Sequence, residues 1–105
     1  MELRGGSVGL TEAYGNVYAV NSNGYFGPVC DDSWGRRSSD ADVVCRQLGY
    51  ARGDAYQNSH WGSVPSDFAM DNVGCRGDER YLQECTYHTS ENCESNEGAG
   101  VHCYS

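Results

Sequence analysis

The stretch GPVCDDSWGRR, residues 27–37, places two adjacent aspartates directly after a cysteine and a tryptophan two residues later. Two carboxylates side by side repel each other unless a cation or hydrogen bonds compensate for their charge. We expect Trp34 to be a core residue, so the acidic pair lies between two residues that anchor the chain. The groups that face Asp31 and Asp32 therefore decide what this segment does.

The chain contains six cysteines within 105 residues: Cys30, Cys45, Cys75, Cys85, Cys93 and Cys103. No C-x-x-C pair occurs, which argues against zinc ribbons and thioredoxin-type redox sites. An even number of cysteines in a small chain predicts a disulfide framework and an oxidising compartment. The alternative is a cytosolic protein with reduced thiols. Six cysteines allow fifteen pairings, and the residues alone do not choose among them.

Length and charge narrow the class of protein. A chain of 105 residues suits one domain, residues 1–105, and we interpret Met1 as an expression start on a domain excised from a larger extracellular protein. The net charge is −8 and all seven basic residues are arginine, which disfavours nucleic acid or an anionic membrane as a direct partner. Divalent cations and basic protein surfaces remain compatible, and the alternative is that the acidic surface only maintains solubility. The chain contains no run of 18 apolar residues, so its sequence does not predict a transmembrane helix.

Four segments have the pattern of β-strands. VYAV (17–20) and YFGPVC (25–30) flank a turn at Asn23-Gly24, and Pro28 places the second of them at a sheet edge or bulge. FAMDNVGC (68–75) and VHCYS (101–105) follow later in the chain.

One helix is predicted within SSDADVVCRQLGY (38–50). Ser39 can cap it and Gly49 can end it. A buried stripe at helical spacing consists of Ala41, Val44, Cys45 and Leu48, whereas Arg46 and Gln47 face away. Residues 50–67 and 86–100 are predicted loops, and residues 78–85 a short helical turn with Tyr81, Leu82 and Cys85 on its apolar side. These elements predict an α+β fold.

Five blocks of sequence resemble the scavenger receptor cysteine-rich (SRCR) domain, in its six-cysteine group. They are LRGGS (3–7), GPVCDDSW (27–34), ADVVCRQLGY (41–50), MDNVGCRGDERYLQEC (70–85) and NEGAGVHC (96–103). The resemblance implies a small disulfide-rich α+β domain in which a curved, six-stranded antiparallel-type sheet cradles one main helix. It also implies the bridges Cys30–Cys93, Cys45–Cys103 and Cys75–Cys85.

The resemblance bears on the acidic pair, because a Cys30–Cys93 bridge would bring Glu97 close to Asp31 and Asp32 if the chain leaves the strand there. Three carboxylates suit Ca²⁺, and family members are similar in using these positions as a Ca²⁺ site. Gly98 replaces the acid that follows the glutamate in the family, which could lower the affinity. Asp71 matches a position tied to a second cation site. The alternative is a turn in which the aspartates accept backbone N–H bonds.

The resemblance implies an extracellular module, secreted or in a receptor ectodomain, that binds a protein or a polyanionic ligand. Many ligand-binding members carry a basic strand where this chain has Asn16 and Tyr18, so a Ca²⁺-bridged anion or a protein contact is expected instead. Eight tyrosines and two tryptophans suit a protein interface. Candidate ligand contacts are Arg36, Arg37, Tyr56 and Trp61, with His60 beside them. The oligomeric state does not follow from the sequence.

No enzyme activity is expected. No nucleophile motif occurs, and the spacing of His60, His88 and His102 matches no zinc pattern. Two further alternatives remain: a non-catalytic accessory domain of a secreted enzyme of the serine protease or lysyl oxidase type, and a purely structural spacer.

Overall fold

The computed structural model describes residues 1–36, 39–90 and 92–105. Within these ranges the fold is α+β, as predicted, with one α-helix and antiparallel sheets. The elements in chain order are β1 (Glu2–Val8), β2 (Glu12–Val20), β3 (Phe26–Pro28), α1 (Ser39–Gln47), β4 (Arg52–Tyr56), β5 (Asp71–Gly74), a 3-10 helix (Leu82–Glu84), β6 (Thr86–His88) and β7 (Gly100–Tyr104).

The strands form two sheets, whereas the resemblance implied a single six-stranded one. The strands of the larger sheet follow the order β1-β2-β7-β4. Strand β3 pairs with residues 18–20 of β2, and β7 pairs with residues 12–16 of the same strand. The smaller sheet contains only β5 and β6. A single parallel bridge, between Val29 and Met70, connects the extensions of β3 and β5. Because this bridge is isolated, with no further residue pair beside it, the two sheets are not joined into one.

The β2–β3 hairpin agrees with the sequence prediction. Tyr18 pairs with Pro28, and β3 pairs with β2 alone, so the proline lies on an edge strand. In the turn, Gly24 has φ +82°, and the Asn21 side chain accepts hydrogen bonds from the backbone N–H groups of Asn23 and Tyr25. A residue without Cβ adopts this left-handed conformation at little cost.

Helix α1 packs its predicted stripe into the core. Ala41, Val44 and Cys45 are fully buried, and Leu48 is partly buried against the same cluster. The helix ends at Gln47, and Gly49 follows it as the expected stop residue, with φ +99° and a backbone N–H that donates to the Arg46 carbonyl.

Two of the predicted side-chain roles in α1 were wrong. Ser39 lies inside the first turn and its hydroxyl donates to the carbonyl of Cys75, so it ties the helix to β5 and does not cap it. Gln47 does not face away: it is partly buried and accepts a hydrogen bond from the backbone N–H of Leu82. Both side chains therefore connect the helix to the segment that follows β5.

Three further predictions need correction. Residues 50–67 contain β4 and residues 86–100 contain β6, although both ranges were predicted to be loops. The second residue of β4 is Gly53, where an added Cβ would lie 2.2 Å from the sulfur of Cys45. The helix packs so closely here that no apolar side chain can mark the strand. Tyr81 is 54% exposed and not part of an apolar side.

Three disulfides close the fold with the pairing that the resemblance implied: Cys30–Cys93, Cys45–Cys103 and Cys75–Cys85. Trp34 is fully buried in the main core, as expected, and its indole N–H donates to the Gly100 carbonyl. Tyr50 packs partly buried against the same core. The Cys45–Cys103 bridge joins α1 to β7 and so holds the helix against the larger sheet.

We expect replacement of Cys45 and Cys103 by alanine to lower the free energy of unfolding by about 4 kcal/mol, since loop-closure entropy grows with the length of the closed loop. The sequence separation is 58 residues in this bridge and 10 in Cys75–Cys85. The matched replacement of Cys75 and Cys85 should therefore cost less, about 3 kcal/mol. Urea unfolding followed by tryptophan fluorescence measures both. An equal or larger loss for the short bridge would contradict this expectation.

Candidate functional site

The acidic pair lies where the chain turns away from the sheet. Ser33 and Gly35 have φ values of +66° and +78°, and the backbone N–H of Trp34 donates to the Asp31 carbonyl at 2.9 Å. A regular strand would direct Asp31 and Asp32 to opposite faces. The turn removes that alternation. The chain therefore leaves the strand at this point, which is the condition under which the two carboxylates were expected to converge.

The segment after Cys93 brings Glu97 to the pair. The Asp31 N–H donates to the Glu97 carbonyl at 2.8 Å, and Cys30 forms an antiparallel bridge with Gly98. The three carboxylates of Asp31, Asp32 and Glu97 each offer an oxygen within 4.8 Å of the others. A disulfide and backbone pairing therefore hold Glu97 beside two adjacent acids from which it is distant in sequence. We call these three residues the acidic cluster.

Backbone hydrogen bonds also reach this cluster, as the turn alternative predicted. The N–H of Asn58 donates to Asp31 Oδ2 at 2.7 Å, and the N–H of Glu94 donates to Glu97 Oε2 at 2.6 Å. A carboxylate has about four lone-pair sites on two oxygens. One N–H donor on each acid is therefore compatible with a cation on the same group.

The environment of Asp31 disfavours its negative charge. Burial raises the pKa of Asp31, the hydrogen bond from Asn58 opposes that shift, and the negative charges of Glu97 and Asp32 raise the pKa further. The like charges would not repel each other if a cation lay between them. A bound cation would therefore offset the charge repulsion between the carboxylates of the acidic cluster.

Two clusters of potential ligands include cysteine sulfur, but those cysteines are already bonded in disulfides and do not bind a metal as thiolates. Within the described ranges, the acidic cluster is the one group of three potential ligands that consists wholly of carboxylates. None of the three groups contains a histidine. His60, His88 and His102 are therefore not gathered into a triad.

Asp71 lies next to the acidic cluster and not within it. It is buried at the start of β5, and a carboxylate oxygen of Asp71 lies within 4.8 Å of one from Asp32. An open cleft of about 390 Å³ is lined by Asp71, Asn72, His88, Ser90 and Asn92. The Asn72 side chain accepts a hydrogen bond from the Ser33 hydroxyl, so the two acidic regions are connected.

Asn58 and Ser59 support the site, and the sequence analysis missed them. Both have positive φ, +62° and +49°. The Ser59 hydroxyl donates to the Ser95 carbonyl and accepts from the Gly98 N–H. Consecutive left-handed residues are costly outside glycine and asparagine and persist where surrounding contacts enforce them. The signal in the sequence was the asparagine, which tolerates this conformation better than most residues.

The predicted ligand contacts lie in two places. Arg36 is exposed and lines a cleft of about 490 Å³ with Ser33, Asn72 and Arg76. Arg37 lies outside the described residues. Tyr56, the last residue of β4, contacts Trp61 in the loop 57–62, with ring centroids 4.9 Å apart. Asn16 and Tyr18, which replace the basic strand of the family, are buried.

Comparison with known proteins identifies the class. The family model of the scavenger receptor cysteine-rich domain matches residues 7–104. This chain belongs to that family, and the resemblance seen in the sequence is confirmed. Domains of the family generally serve as binding modules and not as catalysts.

Two curated relatives are similar over most of this chain. A scavenger receptor cysteine-rich domain superfamily protein of Patiria pectinifera is 42% identical over 106 residues, which cover 98% of this chain and 9% of that protein. The macrophage receptor MARCO of Mus musculus is 43% identical over 86 residues, which cover 80% of this chain and 16% of that receptor. The chain therefore spans less than a fifth of the length of either relative.

Two solved structures share the fold. The SRCR domain of mouse MARCO, in a dimeric form, has a TM-score of 0.77 and 36% identity, and the match covers 92% of each chain. The third SRCR domain of murine neurotrypsin has a TM-score of 0.74 and 38% identity, with 86% of this chain and 84% of that chain covered.

We expect Asp31→Asn to stabilise the metal-free domain at neutral pH. Because the folded pKa of Asp31 is raised, folding becomes less favourable as pH rises from its ordinary value of 3.8 through the folded value. The asparagine variant avoids this loss, so it should be the more stable protein at neutral pH and the difference should vanish in acid well below 3.8. Urea unfolding in EDTA across a pH series measures the effect.

Glu79→Gln is the control of opposite sign. The pKa of Glu79 is lowered, chiefly by the hydrogen bond from the Arg76 N–H, and the Gly77 N–H also donates to this carboxylate. Its contribution to stability is present above its ordinary value of 4.5 and is lost as pH falls through the lower folded value. The Glu79 variant should therefore lose stability at neutral pH. A similar loss in Asp31→Asn would contradict the electrostatic account of the cluster.

Proposed function

We propose that this domain is an extracellular ligand-recognition module whose acidic cluster binds Ca²⁺ and uses it to contact anionic groups on a ligand. The observation that carries the proposal is the convergence of oxygens from Asp31, Asp32 and Glu97 to within 4.8 Å of one another. Family membership and the similarity to a macrophage receptor support the general role of ligand recognition. The cation and the class of ligand are the parts that we add.

The donor set fits a hard divalent cation. Ca²⁺ takes six to eight oxygen ligands in flexible geometry and accepts carboxylates, carbonyls and water. The acidic cluster supplies the buried carboxylate of Asp31 and the partly exposed ones of Asp32 and Glu97, and water can complete the shell on the exposed side. A bound Ca²⁺ would also offset the charge repulsion that helps to raise the pKa of Asp31. The chain's own residues hold the cation, and the cation supplies positive charge for an anionic ligand.

The charge distribution favours an indirect contact with anions. The domain has a net charge of −8, which repels a polyanion at long range. The buried Asn16 and Tyr18 provide no positive charge on β2. Arg36 is exposed, follows Asp32 by four positions and lines a cleft with Ser33, so we propose that its guanidinium meets an anionic group held by Ca²⁺. The bound Ca²⁺ and Arg36 together would attract an anionic ligand, which the uncharged Asn16 and Tyr18 of β2 do not.

Asp71 is proposed as part of a second, weaker cation site. It is near Asp32, and the neighbouring cleft is lined by the amides of Asn72 and Asn92 and by the Ser90 hydroxyl, which supply oxygen ligands. Fewer carboxylates face this cleft than meet at the acidic cluster, and affinity for Ca²⁺ falls with the number of charged ligands.

An extracellular location, secreted or in a receptor ectodomain, suits the covalent structure. Three disulfides persist in oxidising compartments and are rare in the cytosol. Within the described residues, no helix is long and apolar enough to cross a membrane. We propose that residues 1–105 form a single domain of a larger protein, as the matched range 7–104 supports.

A second candidate function is that of a non-catalytic accessory domain in a secreted multidomain enzyme. The similarity to the third SRCR domain of murine neurotrypsin is compatible with it, because that fold occurs there as one of several domains of a longer protein, as an accessory domain would. The sequences that flank the domain in its gene discriminate between the candidates. An adjoining enzyme domain would support the accessory role.

We expect Ca²⁺ to bind with a dissociation constant of about 0.1–1 mM, the range of extracellular modules. Titration followed by amide chemical shifts should show changes centred on Asp31, Asp32 and Glu97. The variants Asp32→Asn and Glu97→Gln should abolish them, because each removes a charged ligand. The matched control Asp78→Asn removes an exposed acid elsewhere and should bind normally. The absence of shifts up to millimolar Ca²⁺ would rule out the cation site and leave the acids as a structural turn.

We expect binding to immobilised dextran sulfate in Ca²⁺, and its loss in EDTA or in Glu97→Gln, because the acidic domain repels polyanions without the cation. Arg36→Gln should weaken binding several-fold, about the effect of one solvent-exposed ion pair. Arg80→Gln, which removes an exposed arginine elsewhere, is the control and should have little effect. Binding that persists in EDTA would exclude the Ca²⁺-bridged mechanism. It would not decide whether the acidic cluster binds Ca²⁺, which the Ca²⁺ titration tests separately.

A further inference from the structure

The solvent face of the larger sheet carries a continuous surface of aromatic rings. Strand pairing defines three cross-strand rows on this face: Glu12–Tyr104–Arg52, Tyr14–His102–Asp54 and Asn16–Gly100–Tyr56. Directly opposed residues of adjacent strands project to the same side. With Trp61 and His60 from the following loop, the partly or fully exposed members form what we call the aromatic face: Glu12, Tyr14, Arg52, Asp54, Tyr56, His60, Trp61, His102 and Tyr104.

Trp61 occupies the place that Gly100 leaves open in the third row. A Cβ added to Gly100 would lie 2.7 Å from Cζ3 of Trp61, so only glycine permits the ring to lie there. The Trp61 ring centroid is 5.7 Å from that of Tyr14 and 4.9 Å from that of Tyr56. Its backbone N–H also reaches the buried Asn16 side chain at 3.4 Å. The tryptophan is therefore held on the surface by contacts on several sides.

The remaining rings extend this surface across the sheet. The His102 ring lies 5.3 Å from Tyr14 and 4.6 Å from Tyr104, and His60 lies 4.8 Å from Tyr56. Three strands and three alternate residues on each cover about 10 Å by about 14 Å. Large, rigid rings at half-exposed positions are typical of binding hot spots, because they contribute contact area at little entropic cost.

Two carboxylates at the edges of the aromatic face are held in place. Glu12 Oε2 lies 3.2 Å from His102 Nε2, and the Tyr104 hydroxyl donates to Asp54 Oδ2 at 3.0 Å. The hydrogen bond to Asp54, followed by burial and the charges of Asp54 and Glu12, raises the pKa of Tyr104. Two carboxylates, against the one guanidinium of Arg52, thus lie among exposed rings on this face, and carboxylates and ring faces both attract cations.

The face already accommodates a guanidinium of its own chain. The Arg52 guanidinium lies 5.1 Å from the Tyr104 ring centroid. Arg4 stacks in the same way on Tyr18, at 4.3 Å, on another part of the sheet. A guanidinium over a ring with a carboxylate nearby is thus a stable arrangement in this domain, and the central rings Tyr14, Tyr56 and Trp61 have no such cation among the ring contacts of the described residues.

We propose that the aromatic face is a second interaction surface, which binds an arginine-bearing segment of a protein partner by cation–π stacking and by contacts to Glu12 and Asp54. The choice of a basic partner rests on charge complementarity with these acids and with the net charge of −8. This inference rests on the proposed recognition role and not on the cation site. Its ligand class is opposite in charge to the one proposed for the acidic cluster.

The test is an NMR titration in EDTA with a short capped peptide in which arginine alternates with serine. A matched peptide carries citrulline, which is neutral and of nearly the same shape. We expect amide shifts on β4 and β7 with the arginine peptide, and binding at least about tenfold weaker with the citrulline peptide. Glu12→Gln combined with Asp54→Asn should weaken binding of the arginine peptide by a similar factor.

The control combines Asp67→Asn with Asp78→Asn, which changes the net charge equally through exposed acids outside the face and should leave affinity within about twofold. Equal weakening in this control would show non-specific attraction and overturn the proposal. So would equal affinity for citrulline, shifts centred on Asp31 and Glu97, or no binding at millimolar peptide. Shifts on β4 and β7 caused by neutral cellohexaose but not by the arginine peptide would assign the face to carbohydrate. Because EDTA is present throughout, failure here leaves the Ca²⁺ proposal unaffected.

Discussion

The close approach of the chain at Cys30 to the chain at Cys93–Gly98 is the constraint on which the candidate site depends. The disulfide joins residues that are 63 positions apart, and the backbone hydrogen bond from Asp31 to Glu97 continues the contact for one more residue. Carboxylates that would repel each other in a free chain are therefore held together by covalent and backbone bonds. Burial in this corner raises the pKa of Asp31, and the charges of Glu97 and Asp32, which the constraint holds nearby, raise it further.

The loop of residues 57–62 connects the two surfaces of the domain. At one end the Asn58 N–H donates to Asp31, and in the middle Ser59 is bonded to the Ser95–Gly98 turn. At the other end Trp61 lies in the aromatic face over Gly100. The loop has little regular structure, so its order derives from these contacts. A small domain thus presents an acidic and an aromatic surface from the two sides of one loop.

Much of this organisation was predictable from the sequence. The apolar stripe of α1 has helical spacing, and family motifs around all six cysteines implied the pairing. The acidic cluster required only that pairing and a turn at Ser33. Strand β4 was missed because the close packing of Cys45 requires glycine at position 53, which removes the apolar signal. The backbone bonds of Asn58 and Ser59, and the aromatic face, arise from register between distant strands, which no local pattern encodes.

The central claim is that the fold builds a cation site from Asp31, Asp32 and Glu97. Anomalous diffraction from crystals soaked in a lanthanide, which takes the same oxygen ligands as Ca²⁺, tests it most directly. The account predicts an anomalous peak about 2.3–2.6 Å from oxygens of all three carboxylates. Well-ordered carboxylates that contact only backbone N–H groups, with no peak between them, would contradict it.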